Sequence, residues 1–332
     1  MFTHGSDSQL LSRVSASLGL LVLLQLGCHR KATEDGASQE ASGGRAVSLQ
    51  LNWFPEVEHG GYYAAQVHGY FAKEGLQVEI LPGGPNAPVV AQVDLGRATF
   101  GVANADRVLL GRDATAEIVA LLAPLQTSPR CVMVHEASGI RTFAGLNGLT
   151  LAVSTGSTFF PFLEHKIDLT NVQIVAYSGS VAAFVNNPNY AQQAYVFSEP
   201  FLAEQAGAKP RSLMVADLGF NPYSSTLITH RNTLNRELDL ARRMARACRK
   251  GWEHYLRDPT ATNRRIAELN PEMSLEILRY GAQALTTLCD VGNAPFGRMT
   301  ARRWQTLATQ MHQVGLLQSP NAEGAYVLDM TE

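Results

Sequence analysis

Cysteine is scarce, with four in 332 residues, and none of the four stands in the C-x-x-C spacing of a zinc or redox motif. Charge of one sign is also missing. The 27 Lys and Arg nearly balance the 29 Asp and Glu, and no basic cluster forms a stripe for a phosphate backbone, so nucleic acid is not an expected partner. No apolar run reaches the roughly 20 residues needed to span a bilayer. Nucleophile-elbow, zincin and P-loop motifs are absent, and Gly83-Gly84-Pro85 reads as a turn because Pro85 lacks an amide donor for a phosphate. No fixed-period repeat appears, and no cofactor is called for. What remains, at 45% hydrophobic and 17% charged, is an ordinary globular composition able to bury one or two cores.

The first 28 residues differ from the rest. Arg13 precedes the short apolar run Leu18 to Leu24, which is interrupted at Gln25 and closes on Leu26-Gly27-Cys28. A charged start, a short apolar stretch and a small residue before a cut describe a secretory signal. Gly27-Cys28 resembles the lipobox of bacterial lipoproteins, which implies that Cys28 is acylated; Gln25 departs from the aliphatic residue preferred there. Residues 29–45 are rich in Ser, Gly, Ala, Glu and Lys without a large apolar side chain, and read as a flexible tether. Cys131, Cys248 and Cys289 remain. A disulfide between Cys248 and Cys289 is open to the sequence, with buried free thiols the simpler reading.

From Val47 the chain alternates short apolar runs with helical patterns, as a parallel sheet covered by helices requires. Val47 to Leu51 alternates at period two, Tyr62 to Lys73 has helical spacing, and Gly75 precedes the strand Val78 to Ile80. Ala87 to Leu95 and Ala105 to Gly111 read as helices around the strands Phe100 to Val102 and Ile118 to Leu122. Cys131 to Val134, Leu149 to Val153 and the helix Phe159 to His165 begin a second series. Val172 to Ala176, Ser180 to Val185, Ala194 to Phe197 and Ser212 to Ala216 continue it. From Arg231 the pattern is almost wholly helical. Two βα modules and a helical tail suggest two lobes, with crossings near Gln126 to Arg130 and Asn221 to Thr229 serving as a hinge that closes on ligand. Ligands in such sheets sit beyond the carboxyl ends of strands, so site residues are sought in the loops that follow strands.

The opening Leu51-Asn52-Trp53-Phe54-Pro55-Glu56-Val57-Glu58-His59-Gly60-Gly61-Tyr62-Tyr63, continued by Gly69-Tyr70-Phe71-Ala72-Lys73-Glu74-Gly75, resembles one family. It is similar to the type II solute-binding proteins for sulfonates, nitrate and thiamine pyrimidine precursors. Gly96 to Asn104, Gly139-Ile140 with Leu146-Asn147-Gly148, and Ser198-Glu199-Pro200 fit as well, so the resemblance runs from about Val47 to Thr229. It implies an α/β type II periplasmic-binding-protein fold, two lobes with parallel or mixed sheets around a ligand cleft, and a helical C-terminal region. The expected organisation is a lipoprotein signal over 1–28, a linker over 29–45, one lobe over 46–126 and 223–332, and the other over 127–222. The implied partners are a small-molecule ligand and an ABC permease with its ATPase, for a monomer lipid-anchored at the outer face of the membrane.

Trp53 followed six residues later by His59 looks most like the pyrimidine-precursor branch. Trp53 can stack on a flat heterocycle or pack in the core at a strand end. His59 can meet the ligand beside the free amides of Gly60-Gly61, or sit at the surface as a cap. Of Asn104 and Asp106, one can read ligand N–H groups while the other caps a helix. Thr155 and Ser157, after a strand, offer hydroxyls to a ligand or an N-cap to a helix. Tyr190, Tyr195 and, at the return crossing, Tyr223 are aromatic candidates. Glu199 stands where the family often places a cleft carboxylate; it would accept hydrogen bonds from an aminopyrimidine edge and repel a sulfonate, or it serves only as a helix-terminal charge.

The expected function is capture of an aminopyrimidine for import. The alternatives are a sulfonate or nitrate carrier and a ligand sensor. An enzyme of the same fold, the fungal pyrimidine synthase, carries a cysteine-rich run where this chain has Asn221-Pro222-Tyr223-Ser224-Ser225-Thr226, so that chemistry is not expected. The lipid anchor is tested by fatty-acid labelling and fractionation: wild type should label and sediment with membranes, and Cys28→Ser should do neither. An unlabelled, soluble wild type would mean that Gln25 defeats the lipobox.

Overall fold

The computed structural model describes residues 44–289 and 294–330. Cys28, the signal segment and nearly all of the linker lie outside the described residues. In the first half of the chain, strands β1 (Arg45–Gln50), β2 (Leu76–Leu81), β3 (Phe100–Ala103) and β4 (Ile118–Leu122) alternate with helices α1 (Gly60–Val67), α2 (Tyr70–Lys73), α3 (Val89–Asp94) and α4 (Ala105–Asp113). The middle holds β5 (Arg130–His135), β6 (Thr150–Val153), α5 (Phe159–Lys166), β7 (Gln173–Ala176), α6 (Ala182–Asn186), β8 (Tyr190–Tyr195), α7 (Glu199–Gln205) and β9 (Pro210–Met214). Then come β10 (Thr226–His230), α8 (Arg231–Arg236), α9 (Leu238–Arg257), α10 (Thr260–Leu269), α11 (Leu275–Leu288) and α12 (Ala301–Gln313).

The strands form two five-stranded sheets, ordered β2-β1-β3-β10-β4 and β7-β6-β8-β5-β9. Within each, four strands run the same way while one strand, β10 or β5, lies antiparallel between two neighbours. Of the parallel or mixed sheets expected, the sheets are mixed, because β5 and β10 are the strands that have just crossed from the other sheet. A strand arriving from the cleft must run away from it, against the strands that end there. The two crossings pair through an antiparallel bridge, with Leu125 N–H donating to Ser224 O at 3.3 Å and Ser224 N–H to Leu125 O at 3.2 Å. Arg303 on α12 clasps both, donating to Asn221 O at 2.9 Å and to Gln126 O.

Local chemistry explains several boundaries. Tyr62 to Lys73 is two helices, because Gly69 takes φ +70°, a left-handed conformation that ends α1 and starts α2. The apolar run Ala194 to Phe197 marks only the end of a strand: β8 begins at Tyr190, hidden from a hydrophobicity reading by Gln192 and Gln193, and the chain turns at Val196 so that Pro200 can sit in the first turn of α7. Ser180 to Val185 contributes the short helix α6. Cys131, Cys248 and Cys289 are all buried free thiols, so no Cys248–Cys289 bridge forms.

Gly60 and Gly61 serve helix packing. A Cβ on Gly61 would stand 2.0 Å from the Trp252 ring, one on Gly60 2.1 Å from Tyr255, and one on Gly251 2.2 Å from Gly61 O. The absent side chains let α1 lie directly on α9, with Trp252 and Tyr255 fully buried between them. Gly61→Ala should therefore overpack the contact and cost about 1–3 kcal/mol, read as a lower urea midpoint; an unchanged midpoint would show that α9 can yield.

Candidate functional site

Asn104, Asp106, Tyr195 and Glu199 come together where the crossings enter the sheets. Asn104 holds the N-cap position of α4, yet its side chain makes no cap bond. Its amide donates to the Tyr195 hydroxyl at 3.2 Å, and its Oδ1 accepts from Ser225 N at 3.2 Å. Asp106, fully buried, caps nothing either. It pairs with the Arg130 guanidinium at 3.0 Å and accepts from the Thr158 hydroxyl. Burial alone would raise the Asp106 pKa, but Arg130 and Thr158 outweigh it and hold the carboxyl below its usual range. Burial likewise opposes the Arg130 charge, and Asp106 more than restores it. Asp106 follows β3 while Arg130 and Thr158 belong to the second sheet's half, so the pair joins the two lobes.

Glu199 opens α7. Its Oε2 accepts from Tyr195 N at 2.8 Å and its Oε1 from the Tyr177 hydroxyl at 3.0 Å. Burial raises its pKa despite these bonds. Two further carboxyls, which sequence reasoning passed over, stand beside it. Glu58 is 1% exposed, and burial pushes it up to about 7. Glu56 is 6% exposed and its carboxyl has no hydrogen bond or ion pair among the described residues; burial raises it well above the usual value, and the charges of Glu58 and Glu199 raise it further. Arg130 is the only buried lysine or arginine among the described residues, and Asp106 occupies it.

His59 is buried with its Nε2 2.8 Å from Asn52 Oδ1, and Asn52 in turn donates to Glu58 at 3.4 Å. Burial lowers its pKa to about 3. The ring is neutral and orients Asn52, so neither the cap nor the surface alternative holds. Trp53 follows the first strand 40% exposed, its ring steeply inclined to Phe54 at 5.6 Å, which removes the core-packing alternative.

Four candidates lie outside the hydrogen-bonded cluster. Tyr223 is 2% exposed, its hydroxyl accepting from Thr300 N at 3.1 Å and its ring covered by Arg303 at 3.9 Å. It locks α12 to the return crossing and does not face the carboxyls. Thr155 and Ser157 line an opening of about 600 Å³ with Arg107, Phe160 and Leu316; Thr158, which also lines it, is the hydroxyl that reaches Asp106. Tyr190 packs against the small core around Met133 and Phe184. Ser225, also missed, is the point on which the cluster turns. It sits at φ +52°, unusual for a residue with a side chain, and every polar group is engaged: N with Asn104, Oγ with Glu58 O at 2.7 Å, and O with the Tyr62 hydroxyl at 2.5 Å. No local pattern around Ser224-Ser225 signals this, because its partners lie in distant segments.

Two mixed sheets of this order, joined by paired crossings with a polar cluster between them, define the two-lobed periplasmic-binding-protein fold of the solute-binding proteins. Within that class the chain belongs to the NMT1/THI5 like family, which it matches over residues 56–262. It is similar to the formylaminopyrimidine-binding protein of Halalkalibacterium halodurans, at 22% identity over 317 residues, 92% of this chain and 94% of that one. It is also similar to the riboflavin-binding protein RibY of Chloroflexus aurantiacus, at 22% identity over 82% of each chain. Among solved structures, the periplasmic aliphatic sulphonate binding protein SsuA from Escherichia coli shares the fold, with a TM-score of 0.68 at 14% identity over 87% of this chain and 94% of that one.

The carboxyl cluster sets a pH dependence. Glu58, and in the same direction Glu56 and Glu199, keep a proton to higher pH in the folded chain than in the unfolded chain, which releases it near 4.5. Their stabilisation is full below pH 4.5 and is lost as pH rises through the folded value, about 7 for Glu58. Asp106 acts oppositely, contributing above 3.8 and losing its contribution on stronger acidification. Thermal unfolding should therefore show the ligand-free protein weaker at pH 8 than at pH 5 by on the order of 1–3 kcal/mol, and Glu58→Gln should flatten that slope. A flat wild-type profile would contradict the shifted carboxyls.

Proposed function

We propose that this chain is the substrate-binding component of an ABC importer, exported and held at the membrane through Cys28, and that it captures a small aminopyrimidine between its lobes. The observation that carries the ligand class is the state of Glu199. Its carboxylate is fixed by the Tyr195 N–H and the Tyr177 hydroxyl beside Glu56 and Glu58, and the one buried cation among the described residues, Arg130, has its charge neutralised by Asp106. Such a wall accepts N–H donors or a positive charge and repels a sulfonate or nitrate. Trp53, exposed on the other lobe, supplies an aromatic face for a flat ring. The formylaminopyrimidine-binding relative supports the same ligand class.

Binding without catalysis is the reading for this fold here. No cysteine stands in residues 221–226, the segment that resembles the cysteine-rich run of the enzyme of this fold, and Ser225 is wholly committed to holding Asn104, Glu58 and Tyr62. Trp53→Ala and Glu199→Gln should each weaken an aminopyrimidine by roughly tenfold to a hundredfold, the worth of a stacked ring or a hydrogen bond to a charged group. Calorimetry with 4-amino-5-hydroxymethyl-2-methylpyrimidine tests this, with circular dichroism to show that both variants fold. Wild type binding an alkanesulfonate, with Glu199→Gln binding it equally or better, would overturn the assignment.

A further inference from the structure

The buried ion pair at the meeting of the lobes is incomplete on both sides. Arg130 Nη2 is engaged by Asp106 Oδ2 at 3.0 Å, but Arg130 Nη1 and Asp106 Oδ1, both shut off from solvent, have no hydrogen-bond partner among the described residues. The Arg130 side chain is 9% exposed and that of Asp106 not at all. An unpaired N–H group of a guanidinium in the interior is costly. The Tyr195 hydroxyl meets the guanidinium as well as accepting from Asn104, and Glu58 accepts from Asn52, yet Nη1 itself is left without a partner among the described residues. Arg130 is also the first residue of β5, opposite Tyr195 in the ladder, at the point from which Asn104, Tyr195 and Glu199 reach toward the cleft.

We infer that Arg130 is a ligand-contacting residue, and that its Nη1 donates to an uncharged oxygen acceptor of the ligand, a carbonyl in preference to a carboxylate or sulfonate. The preference follows from the charges present. Asp106 already neutralises the guanidinium, and Glu58 is near enough to be lowered by it, so an anionic ligand would add negative charge beside four carboxyls and one guanidinium. A carbonyl fills the open donor without that repulsion. This rests on the reading of the cleft as an aminopyrimidine site, and adds that the ligand bears an oxygen acceptor beyond its N–H edge.

Three 4-aminopyrimidines that differ only at ring position 5, carrying a carboxamide, a carboxylate or a methyl group, separate these possibilities by calorimetry. Wild type should bind the carboxamide roughly tenfold or more tighter than the methyl compound, as for a hydrogen bond to a charged group, and the carboxylate no better than the methyl. In Arg130→Lys, which keeps the charge against Asp106 and loses the forked donor, that preference should vanish. The double variant Arg130→Gln, Asp106→Asn, which leaves no uncompensated buried charge, should behave alike, and it covers the case in which Arg130→Lys fails to fold. An undiminished carboxamide preference in the folded variants, no preference in wild type, or a carboxylate bound tightest would each overturn the inference. If wild type binds none of the three, the aminopyrimidine reading falls, and Arg130 is judged on the compound retained by freshly purified protein in native mass spectrometry. A retained compound without an oxygen acceptor, or one kept equally by the double variant, overturns the role of Arg130; loss of an oxygen-bearing compound from the variant supports it.

Discussion

The hydrogen-bonded crossing between the two sheets is the constraint on which the other features depend. Leu125 and Ser224 pair in both directions, so the outgoing and returning segments lie side by side. The next residue, Ser225, is forced into a left-handed conformation. A residue with a side chain keeps such a conformation only when its surroundings over-determine it, and here three hydrogen bonds do so. Those bonds also orient Asn104 and the backbone of Glu58, so the strain at the crossing and the geometry of the cluster are one arrangement. Arg303 reinforces it from outside by accepting no freedom for either crossing strand.

Around that fixed point the chain gathers groups that repel one another. Asp106 and Arg130 satisfy each other in part, whereas Glu56 and Glu58 are buried and Glu199 half-buried, all three with raised pKa values. Interiors tolerate unpaired acids only at a cost to stability, and that cost falls where a ligand with N–H donors or a positive charge would relieve it. Stability is recovered elsewhere, above all where Trp252 and Tyr255 fill the contact between α1 and α9. Packing and polarity are thus divided between different parts of the same lobe.

Much of this was legible in the residues. The alternation from Val47 to Leu51, the buried run Ile118 to Leu122 and the long amphipathic stretch from Leu238 fold as their periods demand. Glu199 and Asn104 stand out because the loops after strands are where a cleft must draw its groups, and the fold brings both to Tyr195. What the residues do not announce is a partner that is far away. Asn52 and the burial around α1 make His59 neutral and internal and not a surface cap. Thr300 and Arg303, some eighty residues later, engage the hydroxyl and the ring of Tyr223. Glu56 drew no notice in an opening whose aromatics were more conspicuous.

By itself the sequence determined the elements and their order, because apolar spacing, glycine and proline act within a few residues of where they stand. It also determined the family, whose features are concentrated in the opening segment and recur after the strands. Only the tertiary structure decided which strands run against the others, since that depends on where a crossing strand enters. It alone decided the pairing of Asp106 with Arg130 and the crowding of Glu56, Glu58 and Glu199. Charge acts through space, and neither burial nor the approach of distant carboxyls is written in the local order of residues.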